Sequence, residues 1–200
     1  MKIAVLFPTI TESQYFNNPD VDVCFSGVGL TASTYNTTCI IKDKNPDILI
    51  MAGIAGVYKH SSLKIGDSVI VSHERQSDLG FFYPDGFKHI SKMNLDMEFD
   101  VYDMIESPYL EENLPFKTAK SNSMNAAMAE FVETEDVEIE NMEGAAFFEV
   151  CTKENKRFYE LRTISNVVDI EHDDWDYETS IKNLTKSLNV LIEWLKANKS

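Results

Sequence analysis

Four places in this chain set chemically capable side chains beside residues small enough to let a ligand approach the backbone. Glu12 is the only acid in the first nineteen residues. Ile54, Ala55 and Gly56 close an apolar run as "GIAG". Met142 and Glu143 stand against Gly144, Ala145 and Ala146 in "NMEGAA". Asn166 sits in "ISNVVD". Carboxylates accept hydrogen bonds from adjacent hydroxyls, as on a ribose, and a side-chain amide can read the edge of a base. Each residue also has a plain structural reading. Glu12 and Glu143 fit acids at helix starts, where the macrodipole favours them. Asn166 fits a strand-end turn, and Met142 fits core packing.

The elements that must position these residues follow from hydropathy. Short apolar runs at 3–7, 21–26, 47–53, 67–74, 116–121, 137–140 and 158–165 read as strands. Segments 30–44, 124–133 and 142–155 read as helices, and Ile181, Leu184, Leu188, Leu191, Ile192 and Leu195 mark one face of a last helix. Strands alternating with helices imply an α/β fold, layered as an α/β/α sandwich around a mixed sheet. The chain of 200 residues shows no internal repeat or linker and is expected to form a single domain over 1–200. In open α/β sheets ligands bind beyond the carboxyl ends of strands, and that is where the four places fall. Segment 94–115 departs from the rest, with seven acids and no base. It reads as a solvated excursion, or as a lid or subunit-contact segment.

Acids outnumber bases 33 to 18, for a formal charge of −15. Such a surface argues against nucleic acid or an anionic membrane as partner. Arg75, Arg157 and Arg162 are the only arginines, so a large phosphate clamp is not evident. Cys24, Cys39 and Cys151 are widely spaced and read as reduced thiols of a cytoplasmic protein. The first ten residues are too short an apolar run to span a bilayer and read as a strand.

Two motifs invite other chemistry. "GVGLTA" (27–32) fits a dinucleotide fingerprint, but the acid that should end the next strand, Asp47, begins it instead. A turn that lets helix and sheet pack closely is the better reading. "EHDD" (171–174) could suggest a metal, but adjacent residues do not easily face one ion, and no metal is expected.

"SGVG", "AGIAG" followed by "LKIGDSVIV", "ENMEGAA" and "RTISNVVD" occur in this order over most of the chain. Together they resemble the nucleoside phosphorylase and nucleosidase superfamily. Within it, "ERQSDLGFFYPDGF", "ENMEGAAFF" and "ISNVVD…DDW" look most like the futalosine hydrolase branch, which serves an alternative menaquinone route. The resemblance implies a nucleoside phosphorylase-like fold, no cofactor, a purine nucleoside as small-molecule partner, and a homodimer or larger homo-oligomer. It implies that Glu12 activates water, and that Ile54, Ala55 and Gly56 lie beside the ribose and the nucleophile. It further implies that Met142 and Glu143 flank the ribose, with Glu143 holding its hydroxyls, and that Asn166 bonds the purine. "SNSMN" (121–125) falls where a base-lining strand belongs but matches weakly. Relatives acting on methylthioadenosine carry Asp where Asn166 stands, and many members have a hydroxyl residue at Ile54.

Hydrolysis of an N-ribosidic bond builds positive charge on the sugar and negative charge on the leaving base, and preorganised partners for such charge are worth about 3–4 kcal/mol each. A base such as Glu12 wants a modestly raised pKa, whereas Glu143 should stay ionised. Three alternatives stand beside this reading: a methylthioadenosine or adenosylhomocysteine nucleosidase, a purine nucleoside phosphorylase, and a non-catalytic nucleoside-binding protein.

Overall fold

All five residues of the first strand, β1 (Ile3–Phe7), are buried, as expected of an interior parallel strand covered on both faces. The structure, a computed structural model, describes residues 1–96, 101–169 and 175–198. After β1 come α1 (Ile10–Ser13), β2 (Asp22–Phe25), α2 (Leu30–Lys44), β3 (Ile48–Val57) and β4 (Ser68–Gln76). A hairpin of β5 (Gly80–Tyr83) and β6 (Gly86–His89) follows, then β7 (Ile105–Glu106), β8 (Lys117–Ser123) and β9 (Ile139–Asn141). The chain continues through α3 (Gly144–Lys153), β10 (Arg157–Val167) and α4 (Tyr177–Ala197).

The sheet is mixed. Parallel pairs join β1 to β2 and β3, β3 to β10, and β8 to β4 and β9. Antiparallel pairs join β10 to β4 and β3 to β9. Because β10 pairs with both β3 and β4, the strands β3, β10, β4, β8 and β9 close a ring, which β1 and β2 extend. Side chains alternate across this sheet into two cores. Ala4 and Leu6 join Ile41 of α2 and Phe147, Phe148 and Cys151 of α3 on one face. Ile3, Val5 and Phe7 join Leu184, Leu188, Leu191, Ile192 and Leu195 of α4 on the other. The result is the expected three-layer arrangement. Among the described residues no helix is long and apolar enough to cross a membrane.

Strand β3 decides where the site opens. Its first half pairs on one edge with β1, through Met51, and its end pairs on that edge with β9, at Gly56 and Val57. Between these partners the edge is uncovered, and side chains bond the backbone there instead. The strand expected over 47–53 therefore runs on through Ile54, Ala55 and Gly56 to Val57, since β10 accompanies β3 along this whole length. The helix expected at 124–133 does not form. Met128 takes a left-handed φ of 60°, its N–H is bonded by Glu140, and the N–H of Asn125 is bonded by Asp78, so tertiary acceptors override helix propensity. The acidic segment contributes β7, an edge partner of β4, and Glu111, which accepts from Arg157 and Tyr159. Its residues 97–100, like "EHDD" (171–174), lie outside the described residues. Cys24 and Cys151 are buried, and Cys39 is half-buried.

Candidate active site

A cavity of about 380 Å³ opens at the uncovered edge of β3. That volume suits a small-molecule ligand. Glu12, Ile54, Ala55, Gly56, Met142, Glu143 and Asn166 all line it, so residues spread over 155 positions of sequence meet in one place.

Glu12 is placed by the chain's first turn after β1. Thr9 caps α1: its hydroxyl accepts from the Glu12 N–H at 3.2 Å and donates to Glu12 Oε2 at 2.7 Å. This is a Thr-x-x-Glu capping pattern. Glu12 Oε1 accepts from the Ile54 N–H at 3.0 Å, at the gap between β1 and β9. Burial pushes the Glu12 carboxyl above its ordinary range, while Thr9, Ile54 and the Arg162 charge pull it back. Each carboxylate oxygen keeps a lone pair for the cavity.

Glu143 stands at the start of α3. Its N–H and that of Gly144 both donate to Asn141 Oδ1, at 2.8 and 2.7 Å. Its Oε1 accepts from the Gly29 N–H at 3.3 Å, and its Oε2 accepts from Arg162 Nη2 at 3.2 Å. The glycine-rich "GVG" turn, with φ of 75° at Gly27 and 88° at Gly29, thus serves Glu143 through its backbone.

Arg162 organises the site and was not singled out from sequence. It is fully buried and faces Gly53, its direct partner across the β3–β10 pair. Nε donates to Glu160 at 2.7 Å, Nη1 to the Ile54 carbonyl at 3.2 Å, and Nη2 to Asn141 Oδ1 at 3.0 Å as well as to Glu143. Glycine at 53 is required: a Cβ there would lie 2.4 Å from Nη1 and 3.0 Å from Glu12 Oε1. Burial pulls the guanidinium pKa down, but the surrounding carboxylates, Glu160 and Glu143 first, outweigh it and push it up. Behind it, burial pushes the Glu74 and Glu160 carboxyls up, the Glu160 charge adds to the rise at Glu74, and Arg162 pulls both back. Gly144 is equally constrained, since its Cβ would fall 2.2 Å from Glu74 Oε1.

Asn166 is aimed by an irregularity in β10. The register skips one residue between Ile164 and Asn166, a bulge that turns both Ser165 and Asn166 to the cavity. The Ser165 hydroxyl lies 3.0 Å from Asn166 Oδ1 and 3.2 Å from the Ala55 carbonyl, and its single proton serves one of them at a time. The amide NH₂ gives one hydrogen to the Val167 carbonyl at 3.3 Å and keeps a second for a ligand.

Three further groups line the cavity. Trp175 stacks on Tyr177, with ring centroids 4.9 Å apart and planes 10° from parallel. Glu140 reaches it from β9. "SNSMN" contributes differently: Ser123 donates to Glu74 at 2.6 Å and Asn122 to the Tyr58 hydroxyl, so these side chains brace the site from behind.

The architecture just described is a nucleoside phosphorylase-like fold. Residues 9–197 match the family model of the phosphorylase superfamily, and the chain belongs to that superfamily. Among solved structures it is similar to the futalosine hydrolase of Helicobacter pylori strain 26695, with 21% identity over 98% of each chain and a TM-score of 0.77. It is similar to the 5′-methylthioadenosine/S-adenosyl homocysteine nucleosidase of Helicobacter pylori at 20% identity, covering 98% of this chain and 99% of that one, with a TM-score of 0.76. The corresponding nucleosidase of Neisseria meningitidis, in complex with methylthio-immucillin-A, gives 18% identity, 97% and 99% coverage and a TM-score of 0.74. At these identities the likeness is one of fold.

Proposed function

We propose that this protein hydrolyses the N-ribosidic bond of a 6-oxopurine nucleoside and releases hypoxanthine. Futalosine is the substrate proposed, with dehypoxanthine futalosine as the other product, in menaquinone biosynthesis. The protein is read as a cytoplasmic homodimer or larger homo-oligomer. The observation that carries the reading is one cavity lined both by a buried Glu12 with a raised pKa and by the Asn166 side-chain amide.

Glu12 takes a proton from water as the water attacks the anomeric carbon, a role typically worth 10²–10⁴-fold. Glu143 accepts from the ribose hydroxyls and offsets the positive charge that grows on the sugar. Its own donors, Gly29 and Arg162, hold it in place for that task. Asn166 donates to the purine as negative charge builds on the leaving base. Met142, Ile54, Ala55 and Gly56 wall the ribose and base.

Water is favoured over phosphate by the state of the arginines. Arg75 is paired with Asp136 at 3.0 and 2.7 Å, Arg157 with Glu111, and Arg162 with Glu160 and Glu143. An arginine already bound to a carboxylate is not available to clamp phosphate bidentately. Ile54 supplies no side-chain hydroxyl either.

A nucleoside panel tests the proposal: futalosine, inosine, adenosine, methylthioadenosine and adenosylhomocysteine, with released bases separated by chromatography. Hypoxanthine-bearing substrates should be cleaved with the higher kcat/KM. A preference for methylthioadenosine would overturn the substrate assignment, and tight binding without cleavage would overturn the enzymatic one.

A further inference from the structure

Behind the cavity sits a group of acids that the proposed reaction does not use. Glu74 of β4 and Glu160 of β10 are both wholly buried. A Cβ built on Gly144 would lie 2.2 Å from Glu74 Oε1 and 2.6 Å from Glu160 Oε1, so the two carboxyls crowd one point beneath the start of α3. Arg162 is the cation that faces both, and it also holds Glu143. Were Glu74, Glu160 and Glu143 all ionised against this one guanidinium, buried negative charge would go uncompensated, which a protein interior tolerates poorly.

The hydrogen bonds show how that excess is avoided. Glu160 Oε1 accepts from Arg162 Nε at 2.7 Å. Glu74 Oε1 accepts from Asn141 Nδ2 at 2.6 Å, and its Oε2 accepts from the Ser123 hydroxyl at 2.6 Å. Glu160 Oε2 is buried, and among the described residues no N–H or hydroxyl reaches it. Glu160 does share a hydrogen bond with the Glu74 carboxyl. Two ionised carboxylates are acceptors only, so that bond needs a proton on one of them. A proton held in this way belongs to the pair rather than to either residue. Two other titratable groups face the pair. The Cys151 thiol of α3 feels the Glu160 charge, and the Tyr58 hydroxyl, just after β3, feels Glu74. Burial pushes both of these up, so both stay neutral. Ser123 of β8 and Asn141 of β9 carry no charge.

We propose that Glu74 and Glu160 share one proton and act as a positioning pair, presenting a single negative charge that aims Arg162 at Glu143 and at the Ile54 carbonyl. Arg162 in turn pulls the Glu12 carboxyl down, whereas Glu143 pushes it up. A second negative charge beside Arg162 would offset the guanidinium and weaken its hold on both glutamates. The pair therefore sets how much positive charge reaches the cavity from a residue behind its wall.

The proposal takes Glu12 as the base from the reading above, but its first test needs no substrate. Infrared spectra at about pH 8, where ordinary glutamates are ionised, should show a protonated-carboxyl carbonyl band in wild type. Glu74→Gln should remove that band, and Glu12→Gln should keep it. The Gln amide stands in for the protonated acid and donates to Glu160, so the pair keeps its single charge. Glu74→Ala should lower kcat by about 10–100-fold through a displaced Arg162, and Glu74→Gln should restore most of that loss. The acid limb of kcat/KM should hold its place in Glu74→Gln. It should move to lower pH once Glu160→Gln is added, because the pair is then neutral and Arg162 acts more strongly on Glu12. Should this double variant fail to fold, the infrared band and the limb of Glu74→Gln decide. Wild type without a protonated carboxyl at that pH would overturn the proposal, and so would an acid limb that Glu74→Gln alone moves to lower pH. An acid limb that survives Glu12→Gln would instead defeat the assignment of Glu12 as the base and leave the infrared result standing.

Discussion

Gly53→Ala would drive a methyl group into the one cation that binds the site together. The new Cβ would lie 2.4 Å from Arg162 Nη1 and 3.3 Å from its Cζ. An unstrained contact needs about 3.5 Å, so the guanidinium must retreat by roughly 1 Å. It has nowhere to go, being fully buried and tied to Glu160, Glu143, Asn141 and the Ile54 carbonyl. Overpacking costs about 1–3 kcal/mol, and a disrupted hydrogen bond to a charged group adds about 1.5–3. A loss of about 3–5 kcal/mol follows, close to the effect of breaking a buried ion pair. For a domain of this size each kcal/mol lowers Tm by about 2–4 °C, so the drop should be about 6–20 °C. Because Glu143 accepts from the displaced group and Glu12 Oε1 lies 3.0 Å from the new Cβ, kcat should also fall. Thermal unfolding followed by circular dichroism, with kinetics on the folded fraction, measures both. A variant within about 0.5 kcal/mol of wild type, with unchanged kcat, would show that Arg162 does not lie across Gly53.

Other expected outcomes concern the three proposed working side chains. Glu12→Gln should still bind nucleoside but lose about 10²–10⁴ in turnover, and loss of binding with the per-complex rate intact would exclude a base role. Glu12 works ionised and burial raises its pKa, so kcat/KM should rise with pH through a value above the ordinary glutamate range, a limb absent from Glu12→Gln. Glu143→Gln should lose about 10²–10³ in kcat, while circular dichroism reports an intact fold; near-normal rates would remove it from ribose binding. Asn166→Asp should move the ratio of kcat/KM for inosine-type over adenosine-type substrates toward adenine, by up to about 10². An unchanged ratio would show that Asn166 does not read the base.

Much of this was legible locally, where one element's own pattern dominates. Strand β1, helix α2 over Leu30–Lys44 and the buried face of α4 stand as the hydropathy pattern sets them. Failures came where distant partners decide. "GIAG" looks like a strand end because small residues punctuate strands, but here smallness makes room: Gly53 for Arg162, Gly56 for Val168. Residues 124–133 look helical by propensity, yet Glu140 and Asp78 claim their backbone donors. The β5–β6 hairpin carried its own signal, Asp85–Gly86 between aromatic runs, with Gly86 at φ 127°. Arg162 counted only as one of few arginines, because its partners Met51 and Ile54 are 111 and 108 residues away. Glu140 was hidden inside a short strand pattern, and only the pairing of β9 with β3 brings it to the cavity. Side chains proposed to touch ligand carried motif-like surroundings, whereas those that brace them did not.

The proposed reaction is cleavage of a hypoxanthine-bearing nucleoside by water that Glu12 activates. The most direct measurement is the initial rate of hypoxanthine release from futalosine in phosphate-free buffer, repeated at saturating phosphate, with the sugar product identified by mass spectrometry. Equal rates and a free reducing sugar are expected in both. A rate that climbs from zero with phosphate and yields a sugar 1-phosphate would contradict it.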